Sequence, residues 1–489
     1  MKKISIKILM LIFICSPVFF AQNSGDWLWH KIYGGTEYDE ANALVKTSDG
    51  DFVLAGYTQS FGLGRFGDAY LVKVDSLGDT LWTRRYGDEG IDVFADMLLD
   101  DDESTVSIGL TDTPESWENI YMIRTAPNGD LMWNKNFGGE QKDVALAITK
   151  TIDNGYLLTG VTKSFSVGEE DLFVFKTNAD GDSLWFKTYG TMGNDGGHGV
   201  SPVSTGGYII AGIYDWSTLW LLRIDEQGDT LWTKQFGGID YDEGNSVTET
   251  HDGGFIICGS TASEGEGGLD VYVIKTDSAG NIQWKKTYGG FSYDEGREIL
   301  QKQDGGYLIL ANTDEGINGE FSYYVINTDE TGDTLWTRKY GSGGGSTDRA
   351  FGLLDLNNGN FAIAGTTFDM ASNGNATLSL ICVEEKTTDV DEGAEHINSF
   401  KLYDAYPNPF NPITKITFTV GDAYNASQVR VTLRVYDALG KEISTLFDGS
   451  KPAGTYTINF DAGNLASGTY YYKLTAGNYI ETKKMILMK

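Results

Sequence analysis

Cysteine and histidine are scarce in this chain. Of its three cysteines, Cys15 falls in an apolar run at the extreme N-terminus, where Phe13 and Ile14 are bulkier than the residues that precede a lipid-modified cysteine. Cys258 and Cys382 each sit inside an apolar strand-like run ("FIICG", "LSLICV") and read as small buried hydrophobes, so no disulfide framework is expected. The four histidines, His30, His198, His251 and His396, show no HxH or HExxH spacing, which leaves a locally assembled zinc site without support. Positive charge is also short: 37 Lys+Arg stand against 69 Asp+Glu, a formal net charge of -32. Such a surface repels phosphate backbones and anionic lipid and excludes nucleic acid as a partner. After the N-terminal run no apolar stretch reaches the roughly 18 residues that span a bilayer, so no transmembrane segment is expected in the mature chain.

What is abundant is glycine, 62 residues in 489, the mark of many tight turns and, with the aromatic and β-branched runs between them, of an all-β protein. At the start, Lys2, Lys3 and Lys7 precede an apolar run from Ile8 to Phe20 with a cleavage point after Ala21. Residues 1–21 therefore read as a secretory signal peptide, and the mature protein leaves the cytoplasm.

One stretch is written seven times. "GDTLWTRRYG" at 78 returns as "GDTLWTKQFG" at 228 and "GDTLWTRKYG" at 332, with looser copies at 129, 181 and 280 and a first copy, "GDWLWHKIYG", at 25. The tryptophans are Trp29, Trp82, Trp133, Trp185, Trp232, Trp284 and Trp336, spaced 53, 51, 52, 47, 52 and 52 residues apart. Each unit holds four strand-like runs separated by Gly or Asp-Gly punctuation. Seven four-stranded units predict a seven-bladed β-propeller over residues 22–384. The last unit ends in "LSLICVEEK" with no tryptophan strand after it, so the isolated N-terminal copy is expected to complete the last blade and close the ring. In this register the tryptophan strand is outermost in each blade.

The spacing W-x-[KR]-x-[YF]-G holds in all seven copies. Alternate residues share one face of a strand, which predicts a packing staple between blades with the cation set between two aromatic rings. The turns "VDSLGDTLW" and "IDEQGDTLW" fit an xDxxGxxxW pattern, and the repeat resembles the tryptophan-docked blades of the quinoprotein-like propellers. Seven units instead of eight, no adjacent cysteine pair and near-identical blades depart from the quinone enzymes of that group. A propeller does not by itself define a function.

Among residues that carry chemistry, an aspartate recurs at the head of each predicted innermost strand: Asp39, Asp92, Asp143, Asp195, Asp242, Asp294 and Asp348. Seven carboxylates near one channel mouth form a candidate calcium site; alternatively each fixes its own loop by accepting backbone N–H bonds. No other cofactor is implied. The turns "NADGD" and "DETGD" lack the full ligand series of a calcium loop. The run Asp100-Asp101-Asp102-Glu103 reads as a solvated loop tip. His198, in the most divergent unit, and the loop residues Trp117 and Trp216 are candidate binding residues; Phe61, Phe66 and Phe165 accompany them, to stack on a ligand or to pack over blade edges. No asymmetric set of nucleophile, base and oxyanion donors is legible, so the expectation is a binding or structural module and not an enzyme. The alternative is an extracellular glycan-active or quinone-dependent enzyme, which needs unlike polar groups clustered in the channel or on one face.

After a polar linker at 385–401 the composition changes, with Pro407, Pro409 and Pro412 close together. Runs such as "KITFTV", "VRVTLRVYD", "YTINFD", "TYYYKLTAG" and "KKMILMK" predict a small immunoglobulin-like β-sandwich. "YPNPFNPITKITFTV", "VYDALGKEISTL", "AGTYTINFDAGNLASGTYYYKL" and the closing "KKMILMK" resemble the C-terminal sorting domain of the type IX secretion system over residues 402–489. That resemblance implies the type IX machinery as a partner and export through the periplasm to the outer-membrane surface or the medium. A glycan or protein is the expected ligand of the propeller.

Overall fold

In the computed structural model the described residues are 27–63, 66–113, 116–314, 321–341, 347–356, 359–368, 375–384, 401–403, 405, 407–420, 429–451, 454–476 and 479–489. The signal peptide at 1–21, the linker as far as residue 400 and His396 lie outside them. The chain divides into two compact units, Met1–Lys386 and Thr387–Lys489.

The first unit is built of seven four-stranded antiparallel sheets. In the first blade the strands are Asp39–Lys46, Phe52–Thr58, Asp68–Val74 and Thr80–Tyr86, paired in chain order. The two middle strands are buried at every position, because neighbouring blades cover both faces; this is why they read as near-continuous apolar runs. The outer strands alternate, as in "TLWTKQF" at 230–236. Apolar cores form between blades: Ala43, Val53, Leu71 and Tyr86 of the first pack with Phe94, Met97, Tyr121 and Ile123 of the second.

The last blade has the order Trp27–Tyr33, Ala376–Glu384, Asn360–Phe368, Arg349–Asp355, so the first described strand of the chain is its outer strand. Trp29 lies opposite Cys382. The core between this blade and the first joins Tyr33, Leu378 and Leu380 to Leu44, Phe52 and Tyr70, so the ring closes with the same kind of contact that builds it. Cys258 and Cys382 are buried free thiols.

The repeat GDxLWxKxY is a staple from each blade to the next. The turn glycine takes φ of +80° at Gly78, where a side chain would also lie 2.8 Å from the Trp29 ring of the preceding blade. Glycine alone suits both demands. The Tyr33 hydroxyl donates to the Gly78 carbonyl at 2.9 Å, and Tyr86, Tyr189 and Tyr288 donate to Gly129, Gly228 and Gly332 at 2.5, 2.5 and 2.7 Å. The cation does not lodge chiefly between rings as the spacing suggested. Lys31, Lys135, Lys187 and Lys286 reach Asp79, Asp182, Asp229 and Asp333 of the following turn, because an anion within reach outcompetes a ring face. Contact with the tryptophan ring is retained by Arg84, Lys187 and Arg338.

The acidic run at 100–103 is also more than a solvated tip. Lys150 pairs with Asp100 and Asp101 at 2.6 Å, Arg124 with Asp100 and Asp102 at 3.0 Å, and Tyr156 donates to Asp100 at 2.8 Å. The tip joins the second blade to the third.

The second unit has one sheet of Lys401–Leu402, Ile413–Val420 and Gly454–Asp461, and another of Glu442–Lys451, Val429–Tyr436, Gly468–Ala476 and Tyr479–Leu487. Strand Glu442–Lys451 was not foreseen; its burial is intermediate or exposed throughout, so it lacks the apolar alternation that marks the others. Phe418, Leu433, Phe460, Tyr472 and Met485 share the core. Asn408 accepts from the Ile486 N–H at 2.8 Å and donates to the Lys484 carbonyl at 3.2 Å, so the Pro-Asn-Pro segment binds the closing strand through its asparagine.

Candidate inner-wall site of the propeller

Every innermost strand carries a β-bulge three residues after its aspartate, where the register shifts, as between Ala41 and Ala43 or Gly197 and Gly199. A bulge leaves one residue unpaired and re-aims its side chain. The seven bulged residues are Asn42, Ala95, Leu146, His198, Asn245, Arg297 and Phe351. The backbone device is repeated and the side chains differ, so the wall is asymmetric although the rim is not.

Its polar arc is written by "YDEAN", "YDEGN" and "YDEGR". Tyr38 donates to Glu40 at 2.7 Å and Tyr241 to Glu243 at 2.5 Å. Asn42 and Asn245 donate to the same glutamates and to the carbonyls of Phe94 and Gly296 in the following blades. Arg297 pairs with Glu295 at 2.8 Å and lies over the Phe351 ring. Burial, reinforced by the neighbouring glutamate charge, raises Tyr38 and Tyr241 well above the usual phenol range, so both remain hydrogen-bond donors at neutral pH. A cavity of about 430 Å³ opens between the first and last blades, lined by Tyr38, Glu40, Thr347, Arg349, Phe351 and Phe368 among others. The opposite arc, with Val93, Ala95, Val144 and Leu146, is apolar.

His198 belongs to this wall: its Nδ1 lies 3.2 Å from Asn245 Oδ1 and 3.8 Å from Glu243. Trp216 is 56% exposed, on a loop where Asp215 and Trp216 take φ of 45° and 72°. Such strain costs on the order of 1 kcal/mol per residue and accumulates near functional surfaces. The Trp117 side chain lies outside the described residues. Phe61 packs on Tyr70 and Phe165 on Phe186, yet both stay about half exposed.

The seven recurring aspartates are at most 3% exposed, each bound within its own loop. Asp39 takes the Gly35 N–H, the Thr58 hydroxyl and the Ser60 hydroxyl; Asp143 and Asp242 repeat the set with Gly139, Thr162 and Ser164 and with Gly238, Thr261 and Ser263. Asp195 takes the N–H groups of Thr191 and Asp215, Asp92 that of Asp88, Asp294 that of Gly290, and Asp348 the Thr367 hydroxyl. Among the described residues no three acidic, histidine or cysteine side chains gather around one metal position.

The bulge ring and the Tyr-Asp-Glu arc were missed in the sequence. Part of their signal was there: "YDE" returns at 38, 241 and 293, whereas Ile91, Lys142, Asn194 and Thr347 precede the aspartate in the other units.

The loops around this mouth are zipped together at the backbone, with Gln59, Lys163, Ala262 and Asp314 donating to the carbonyls of Tyr38, Lys142, Tyr241 and Tyr293. They bring Phe61, Phe66, Phe165, Trp216, Ile239 and Phe291, all exposed, to the end of the propeller where the polar arc begins.

No curated protein matches the chain. Among solved structures, a fungal alcohol oxidase of the AA5 family in complex with copper aligns over 96% of this chain and 100% of its own at 10% identity and a TM-score of 0.46. A Synechocystis apocarotenoid oxygenase aligns over 61% and 71% at 10% identity and a TM-score of 0.37. Likeness at this level says nothing of the chain's chemistry. No helix among the described residues is long and apolar enough to cross a membrane. Residues 404–488 match the secretion system C-terminal sorting domain, and the C-terminal unit is thus a type IX sorting domain that directs the chain to the cell surface or beyond it.

Proposed function

We propose that the exported propeller is a non-catalytic binding module that takes an extracellular ligand, a glycan or a protein, at the mouth bearing the Tyr-Asp-Glu arc, after passage through the periplasm and recognition of its tail by the type IX machinery. The observation that carries this reading is the conjunction at one mouth of exposed aromatic and apolar loop residues with a wall of tyrosine and glutamate pairs. Aromatic faces with a few oriented polar groups are what ligand pockets are made of.

The enzymatic alternative is favoured by one observation, the cluster of unlike groups His198, Tyr241, Glu243 and Asn245. Against it, Glu40, Glu243 and Glu295 each accept hydrogen bonds from neighbouring wall residues, which engages their oxygens in the wall itself.

The test is retention of the full-length secreted chain on immobilised polysaccharide and surface-polypeptide panels, compared with a Trp216→Ala/Phe291→Ala variant. Selective retention lost in the variant is expected, and which panel retains the chain distinguishes glycan from protein. Hydrolysis of a retained glycan, or turnover with added quinone, would overturn the non-catalytic reading.

A further inference from the structure

The crossover loops that carry the chain from one blade to the next have equivalent tips, seven residues after each repeat tryptophan. The tips are Thr36, Glu89 and Glu140 at the first three crossovers and Met192, Ile239 and Phe291 at the next three. The seventh, Gly343, lies outside the described residues. Met192, Ile239 and Phe291 are 76, 95 and 84% exposed. Single exposed apolar side chains are ordinary. Three at one position of consecutive crossovers, where the preceding three carry threonine and glutamate, form a one-sided apolar crescent of the kind that marks a contact surface.

Trp216, Tyr241 and Tyr293, also exposed, extend it. A methyl-sized group on Gly193 would lie 2.9 Å from Trp216 Cδ1, which sets the indole against the loop of Met192. The two tyrosines follow Ile239 and Phe291 by two residues. The backbone under the tips is held. Groups on Gly168 and Gly267 would lie 2.5 Å from main-chain atoms of Met192 and Phe291, so loops of the third and fifth blades abut them. Around Ile239, the Gly238 N–H donates to Asp242 at 2.8 Å and the Asp240 N–H to Ser263 at 3.1 Å. Side chains displayed on an ordered backbone lose less freedom on binding than those on a loose loop.

The exposed charges around the crescent are negative. Asp215, Asp240 and Glu266 stand beside it, and Glu89 and Glu140 occupy the equivalent tips elsewhere on the mouth. The cations of the same rim are engaged: Lys142 pairs with Glu170, Lys163 with Glu169 and Arg297 with Glu295, while Arg349 lies over the Phe321 ring. Thioether and branched aliphatic tips offer no hydrogen bond to sugar hydroxyls and would strip water from them. Against the side chains of a polypeptide they bury apolar surface on both partners. An acidic rim selects among polypeptides for positive charge. A second copy, itself at a formal net charge of -32, and an anionic lipid surface are repelled.

We propose that the crescent of Met192, Trp216, Ile239, Tyr241, Phe291 and Tyr293, over the fourth to sixth blades, docks a basic, apolar segment of a polypeptide. This rests on the binding role proposed above and narrows its ligand from a glycan or a protein to a cationic protein surface.

The experiment passes the full-length secreted chain over immobilised synthetic peptides of leucine with lysine, leucine with glutamate and serine with lysine, beside polysaccharides and phosphatidylcholine vesicles. Three variants accompany it, each compared with the parent by circular dichroism: Met192→Ser/Ile239→Ser/Phe291→Ser at the tips, Asp240→Asn/Glu266→Gln on the rim, and Leu77→Ser/Leu231→Ser/Leu335→Ser, which removes exposed leucines away from the crescent. The expected result is selective retention by the leucine-lysine peptide, weakened about tenfold or more in the tip variant. The same retention should weaken in the rim variant and in added salt, which screens exposed charges, and stay unchanged in the third variant. Equal retention by either of the other peptides, or a folded tip variant that binds as the parent does, would overturn the proposal. So would vesicle binding or self-association that is lost in the tip variant in place of peptide binding. Retention by a polysaccharide and by no peptide would overturn this inference and leave the binding role standing, whereas retention by nothing would overturn both.

Discussion

Tyr33 and Gly78 stand 45 residues apart and meet where the last blade touches the first, the phenol hydroxyl donating to the carbonyl at 2.9 Å. The same bond is made by tyrosines at three further junctions, whereas Phe137 and Phe236 occupy the equivalent place before Gly181 and Gly280 and have no hydroxyl to give.

The Phe236→Tyr substitution is therefore expected to stabilise the propeller by about 0.5–1.5 kcal/mol, the net worth of an added hydrogen bond to a carbonyl already in reach. Tyr33→Phe should cost a similar amount or more, because it strands a buried carbonyl. Thermal unfolding of the two variants beside the parent measures both; a Phe236→Tyr variant less stable than its parent would show that the ring cannot carry the hydroxyl to Gly280.

Deleting residues 22–35 removes the outer strand of the last blade together with Trp29, Lys31 and Tyr33, which staple that blade to the first. Strand Ala376–Glu384, now buried at every position but Glu384, would be left as a largely apolar edge, and edges of that kind recruit other chains. A lower and broader unfolding transition, with self-association on size-exclusion chromatography, is expected. An unchanged midpoint would mean that closure contributes nothing to the ring.

Glu298 and Asp96 lie half-buried just beyond the bulges of their strands. Glu298 accepts the Leu353 N–H of the next blade at 2.6 Å, and Asp96 that of Ile148 at 2.9 Å. Burial pushes Glu298 from 4.5 up to about 8 and Asp96 from 3.8 up to about 6. The folded state thus holds the Glu298 proton over a window in which the unfolded chain has released it. Its contribution to stability is full below about pH 4.5 and is lost as pH rises through 8. Glu298→Gln keeps the acceptor without the charge, so its unfolding midpoint relative to the parent should climb between pH 5 and pH 8.5. A difference that stays flat over that range would place Glu298 among ordinary surface carboxylates.

The architecture was legible because the residues that make it are copied: glycine, aspartate, tryptophan, cation and aromatic recur at fixed offsets, and period-2 alternation assigned Trp29, Lys31 and Tyr33 to one face. The partners of that face were not. Nothing local indicates that Lys31 meets Asp79 or that Tyr33 meets Gly78, since each contact spans a whole unit. The wall was less legible still. A bulge is a shift of backbone pairing, and at Asn42, Ala95 or Leu146 no glycine flags it. Asp100 looked solvated because Lys150 and Tyr156, which hold it, come from the following blade.

The staple gives each unit two complementary ends, a turn that receives and a strand that donates, and both are encoded within the same ten residues. Any unit can then follow any other without a new interface being invented. Such a gene segment can lengthen by tandem duplication, with the rim held invariant by this self-complementarity and the inner strands left free to diverge. The number of blades becomes a matter of when the two ends of the chain can meet.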